Sequence, residues 1–116
     1  MAALTDTDPV TPAHAQPVLI TLPAEIDIAN ADAAGEQLAA AFPVGVVVIA
    51  DMTGTTFCDS MGFRMLVRAC RSARASGTDL RLLVTSPNVV RVMKILGLDA
   101  VLPLCQSLEE ALAGRD

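Results

Sequence analysis

Residues 46 to 50, Val-Val-Val-Ile-Ala, contain no polar residue. A strand with one wet face alternates apolar and polar side chains. An unbroken run is what a strand covered on both faces requires. The run ends at Asp51, a short polar loop follows, and from Asp59-Ser60 onward the pattern turns helical. Strand, loop and helix start, in that order, make one step of a parallel α/β fold. They place Ser60 at the carboxyl edge of the sheet, where open α/β sheets carry their functional groups.

The rest of the chain repeats this step. Residues 18 to 22, Val-Leu-Ile-Thr-Leu, read as the first secure strand, ended by Pro23, with Glu25-Ile26-Asp27 in the turn that follows. Asn30 is the expected N-cap of a helix on which Ala31, Ala34, Leu38, Ala41 and Phe42 recur at helical spacing. Pro43 and Gly45 are expected to close it. From about Met61 to Ala75 a second helix buries Phe63, Leu66, Val67, Cys70 and Ala73, carries Arg64, Arg68 and Arg71 on another stripe, and stops at Gly77. Leu80 to Val84 form a strand. Ser86-Pro87 supply an N-cap and a first-turn proline. Val89, Val92, Met93 and Leu96 are expected to face inward until Gly97. Val101 to Leu104 read as a short strand near an edge, and Ser107-Leu-Glu-Glu110 as a capping box opening a last helix. The fold class is therefore α/β: a small, mostly parallel sheet of four to five strands with helices packed on it. The strands near 18–22, 46–50 and 80–84 should lie side by side, with Ser60 exposed at the start of the second helix.

At 116 residues the chain suits one domain, and with 53% hydrophobic residues it can build a core without metal or disulfides. Residues 18–116 are read as that domain. Residues 1–17, with Pro9, Pro12 and Pro17, are read as a flexible tail or a weak edge strand. No apolar run reaches the ~18 residues of a membrane span, and the start resembles no signal peptide. A cytoplasmic protein without a membrane partner is expected. The net charge of −5 and the absence of Trp and Tyr argue against direct nucleic-acid binding. Cys58, Cys70 and Cys105 have no metal-ligand spacing and read as small apolar residues; a redox role for Cys58, two residues from Ser60, has only that proximity behind it.

No catalytic constellation emerges. The only histidine is His14, outside the 18–116 domain, which leaves that domain no Ser/His/Asp triad. The loop before Ser60 lacks the Gly-Lys pair of a phosphate-binding Walker loop. Asp27, Asp51 and Asp59 could converge to hold Mg²⁺ in a small enzyme. The preferred reading gives Asp59 a capping role and Asp27 and Asp51 turn-shaping roles, with no metal and no cofactor. Asp51 at a strand end also fits a phospho-acceptor aspartate, but the acid pair after the first strand and the lysine after the last, which response-regulator receivers need, are missing. Ser60 either belongs to the cap or carries a negative group. Asp59 already offers a cap oxygen, and Arg64 lies one turn further on, within reach of a phosphate on Ser60. Met61 and Met65, one turn apart, suit either a partner-binding surface or the core. The Arg64, Arg68 and Arg71 stripe suits either solvent or an acidic partner.

Phe57-Cys-Asp-Ser-Met-Gly62 resembles the Asp-Ser-x-Gly signature of STAS domains, in particular bacterial anti-sigma factor antagonists. Leu22-Pro-Ala-Glu-Ile-Asp27 is similar to the family's Gly-Glu-(apolar)-Asp turn. Ser86 to Leu98 resembles its third helix and the Gly-Leu that ends it. The resemblance covers roughly residues 18 to 113. It implies a protein that is not an enzyme. Unphosphorylated, such a protein binds a serine-kinase anti-sigma factor and releases its sigma factor. Phosphorylation at the position of Ser60 breaks the complex, and a PP2C-type phosphatase restores it. The partner surface carried over comprises Glu25, Asp27, Asp59, Ser60, Met61, Gly62, Arg64 and Met65. The alternative is a STAS scaffold or sensor subunit without a switch at Ser60. Two departures stand out: Met61 occupies a place where a second Ser or Thr is frequent, and Ala24 replaces the usual Gly.

Overall fold

The alternation-free run becomes an inner strand of a four-stranded parallel sheet. The computed structural model describes residues 17–42 and 47–113. Nearly all of the proline-rich start, His14 and the Pro43 to Val46 stretch lie outside the described residues. In chain order the elements are β1 (Val18–Thr21), β2 (Glu25–Ile26), α1 (Ala31–Ala41), β3 (Val47–Asp51), β4 (Phe57–Cys58), α2 (Ser60–Ala75), β5 (Asp79–Leu83), α3 (Pro87–Ile95), β6 (Leu104–Cys105) and α4 (Leu108–Leu112). The sheet order is β1-β3-β5-β6, every ladder parallel. Strands successive in the sheet are thus neighbours, as the repeated strand-helix step implies.

β3 is buried on both faces because each face has its own cover. Val48 and Ala50 join Leu80, Leu82 and Val84 in the main core with Leu38, Phe63, Leu66 and Met93. Val47 and Ile49 point the other way, into a small cluster with Leu83, Cys105 and Ala111 of α4. Arg81 fastens that second layer. Its Nη1 donates to the Ala111 and Ala113 carbonyls at 2.6 and 2.7 Å, while Nη2 meets Asp79 at 2.8 Å.

Gly77, Ser86 and the Ser107–Glu110 box act as read. Gly77 has φ +75, and α2 ends in a Schellman motif: Thr78 N–H donates to Ala73 O at 2.8 Å and Gly77 N–H to Arg74 O at 3.1 Å. Ser86 caps α3, its Oγ accepting from Val89 N–H. In the capping box Ser107 Oγ accepts from Glu110 N–H at 3.0 Å, while Glu110 Oε1 reaches back to Gln106 N–H at 2.8 Å, one residue before the cap.

Four expectations are corrected. Asn30 stands at the start of α1, but its side chain turns backward. Oδ1 accepts from Asp27 N–H at 2.9 Å and Nδ2 donates to Glu25 O at 2.7 Å, so it braces the preceding turn instead of capping the helix. Leu96, assigned to the core, is 56% exposed, because α3 ends at Ile95 and the chain swings outward into Gly97. Residues 98–100 form a 3-10 turn, so β6 begins only at Leu104. Glu25–Ile26 and Phe57–Cys58, read as turn and loop, pair as a separate two-stranded parallel ladder.

Candidate functional site

The site is built where the parallel strands run out. Beyond their carboxyl ends the loops are sewn together: Leu22 N–H to Asp51 O at 3.0 Å, Met52 N–H to Leu83 O at 2.8 Å, and Thr56 N–H to Ala24 O at 2.9 Å. Thr55, fully buried, closes the seam through Oγ1 to Pro23 O at 2.7 Å. These bonds set Glu25 beside Phe57 and Ile26 beside Cys58. One residue further, Asp59 N–H donates to Ile26 O at 3.0 Å. The start of α2 is thereby pinned to the segment that carries Glu25 and Asp27.

Each of the three acids has a local task. Asp59 is the N-cap of α2, its Oδ1 accepting from Gly62 N–H at 3.0 Å. Asp27 Oδ1 accepts from Ala29 N–H at 2.9 Å, and Asp51 Oδ1 from Thr53 N–H and Oγ1 at 3.0 and 2.7 Å. Among the described residues no group of three or more His, Cys, Asp or Glu is placed to hold a metal ion. The acids shape turns and a cap.

Ser60 is the first residue of α2 and is exposed. Because Asp59 supplies the cap, Ser60 Oγ is not used to hold the helix. Gly62 N–H is taken by Asp59 and Phe63 N–H by Asp59 O. The remaining first-turn donors, Ser60 and Met61 N–H, point out of the helix end with its positive dipole.

Glu25, Met61 and Arg64 are exposed beside this helix start or on its first turns, and Asp27 and Asp59 are half-buried. Gly62 and Met65, by contrast, are buried. A methyl group on Gly62 would lie 2.5 Å from Cys58 Sγ and 2.8 Å from Ile26 Cγ2. Gly62 is what lets the helix start sit directly on the β2–β4 pair. Met65, 7% exposed, packs under α1, where a methyl group on Gly35 would lie 2.9 Å from Met65 Cγ. The two methionines thus divide: Met61, 36% exposed, faces outward and Met65 fills the core.

Sequence reasoning missed two neighbours, Phe57 at 47% and Ile28 at 74% exposure. The available signal was the out-in alternation of Phe57-Cys58, too short to stand out from a loop. Together with Met61 they put exposed apolar surface on the segments that flank Asp27 and Ser60. Cys58, by contrast, is buried against Gly62. Burial first, and the Asp59 carboxylate second, push its thiol up to about 12. The group is a protonated packing residue at neutral pH.

What this geometry defines is a presentation scaffold: a hydroxyl at a helix start, set by a cap above and close packing below, with no histidine among the described residues. The chain belongs to the STAS domain family, whose model matches residues 8–111. A crystal structure of an anti-sigma factor antagonist from Mycobacterium paratuberculosis is similar, with TM-score 0.77, 25% identity and 89% of each chain covered. The anti-sigma factor antagonist SpoIIAA in its unphosphorylated form shares the fold, with TM-score 0.67, 24% identity and 90% of each chain covered. A Mycobacterium tuberculosis protein, named provisionally as an anti-anti-sigma factor, is 35% identical over 65 residues. That match spans 56% of this chain and 44% of the relative's length.

Proposed function

We propose that this protein is an anti-sigma factor antagonist whose binding is switched by phosphorylation of Ser60. The observation that carries the reading is the exposed Ser60 at the first position of a helix already capped by Asp59. Membership of the STAS family and similarity to structures of anti-sigma factor antagonists support it. The partner is a serine-kinase anti-sigma factor, which the unmodified protein binds so that its sigma factor is released. A PP2C-type phosphatase reverses the modification. In this reading the protein acts in the cytoplasm and is itself no catalyst. No helix among the described residues is long and apolar enough to cross a membrane.

The energetics separate folding from binding. Phosphate adds roughly −1.5 to −2 charges at neutral pH. Next to the Ser60 and Met61 N–H groups this is tolerated, with about 0.3–1 kcal/mol in its favour from the helix dipole. The surface around it, with Phe57, Ile28 and Met61 exposed, is one that a partner covers. An uncompensated charge in such an interface costs about 2–5 kcal/mol. The second effect wins, so phosphate dissociates the complex and leaves the fold intact. Met61 offers no second hydroxyl, so the switch has a single acceptor.

Titration calorimetry against the serine-kinase anti-sigma factor tests this. Ser60→Asp should keep the thermal midpoint near wild type and weaken binding at least tenfold, about 1.4 kcal/mol. Equal affinity of two folded proteins would place Ser60 outside the interface.

A further inference from the structure

α2 departs from the charge of the rest of the chain. The protein carries a net −5, yet α2 holds Arg64, Arg68, Arg71 and Arg74 and no acidic residue. All four arginines are exposed. Among the described residues the one ion pair within 4.0 Å is Arg81–Asp79, in a different layer of the fold. The α2 guanidinium groups are therefore not neutralised by direct pairing with described carboxylates.

Beside this edge runs a groove of about 280 Å³ between α1 and α2. Phe42, Met65 and Ala69 give it an apolar floor, and Met61 stands at the end nearest Ser60. Arg64 and Arg68 line one wall, Asp32 and Glu36 the other. The walls thus have opposite sign across an apolar floor.

We propose that this groove and the arginine edge dock an amphipathic helix of a protein partner, acidic along one edge and apolar along the next. The charge arrangement fixes the orientation. Carboxylates laid toward α1 meet Asp32 and Glu36 and are repelled; laid toward α2 they meet unpaired arginines. The spacing selects a helix. Arg64, Arg68 and Arg71 follow i, i+4, i+7, so they rise by ~6 Å and then ~4.5 Å along the axis. A partner helix with carboxylates at the same intervals keeps step with all three and sets its neighbouring apolar side chains into the groove. An extended segment offers same-side groups about every 6.6–6.8 Å and is out of step by the third arginine. This surface goes beyond the Ser60 reading and does not depend on it, since Arg68 and Arg71 lie about two and three turns from the serine.

The test is an amide NMR titration of the ¹⁵N-labelled full chain. The probe is a synthetic amphipathic helical peptide with Glu at i, i+4, i+7 beside a Leu stripe; a Gln-for-Glu version is the control. Shifts are expected in α2 and on the α1 side of the groove, with affinity falling at least tenfold from low to physiological salt. The Gln version should bind at least tenfold more weakly. Arg68→Gln with Arg71→Gln should remove the preference for Glu. Ala39→Trp, which occludes the groove and leaves every arginine in place, should abolish binding. The proposal is overturned by shifts that centre on Arg91 and Lys94, by equal binding of both peptides, or by binding that survives Ala39→Trp. It is equally overturned if the arginine edge shifts with protein concentration alone, which means a second copy, or binds anionic vesicles or a short oligonucleotide more tightly than the peptide. None of these readouts involves phosphorylation, so their failure leaves the Ser60 reading standing, and the reverse holds.

Discussion

Replacing Gly62 by alanine puts a methyl group 2.5 Å from Cys58 Sγ, 2.8 Å from Ile26 Cγ2 and 3.2 Å from the Ile26 carbonyl oxygen. None of the three can step aside easily. Ile26 is fully buried, Cys58 nearly so, and the carbonyl is held by Asp59 N–H. Overpacking of this kind costs typically 1–3 kcal/mol, and contacts this short belong at the upper end. Alanine returns about 0.8–1 kcal/mol of helix propensity. The balance is a loss of about 2 kcal/mol, or roughly 8–16 °C in Tm for a domain of this size. Urea denaturation followed by circular dichroism measures it. Gly54→Ala is the matched control: its methyl group meets nothing within 4 Å, so it should be neutral or slightly stabilising. Adding Cys58→Ala to Gly62→Ala should recover part of the loss, because the shortest contact disappears. A Gly62→Ala protein as stable as wild type would refute the close seating of α2 on the β2–β4 pair.

Asp59→Ala should cost about 0.5–2 kcal/mol through loss of the cap to Gly62 N–H, while Asp59→Asn stays near wild type; urea midpoints decide. Arg81→Met removes both hydrogen bonds to the Ala111 and Ala113 carbonyls. It should cost about 1.5–3 kcal/mol, with faster amide exchange in α4 before the rest of the fold. Burial pushes the Cys58 thiol up to about 12 and Cys70 up to about 11. Both are neutral, folded or unfolded, below about pH 8.5, and above it only the unfolded chain ionises. Stability should therefore fall as pH rises from about 9 toward 12. At neutral pH both thiols should resist iodoacetamide until the protein is denatured.

The elements legible in the sequence are those whose signal is longer than one turn or one alternation. β3 showed itself through five apolar residues in a row, and α2 through a buried stripe that ends in Gly77. What escaped was shorter or depended on other segments. Glu25–Ile26 and Phe57–Cys58 have two residues each, and their pairing is set by the Thr55 and Thr56 bonds to a loop some thirty positions away. Asn30 stands where a cap belongs, but an amide side chain serves a preceding turn as readily as a following helix. Met61 and Met65 could not be told apart by spacing. α1 separates them, because Gly35 admits the Met65 side chain and leaves Met61 at the rim. In the site, the exposed position of Ser60 was legible, since Asp59 precedes it and a helix follows. The burial of Gly62 was not, because it depends on Cys58 and Ile26 lying side by side beneath it.

Ser60 should accept phosphate without loss of the fold. Intact-mass measurement and peptide mapping after incubation with the host's serine-kinase anti-sigma factor and ATP test it most directly. The expected result is the mass of one phosphoryl group, located on Ser60 and absent from Ser60→Ala. The modified protein should keep its thermal midpoint and lose its affinity for the kinase. Phosphate entering Ser60→Ala at the wild-type rate, or a modified protein that binds the kinase as before, would contradict it.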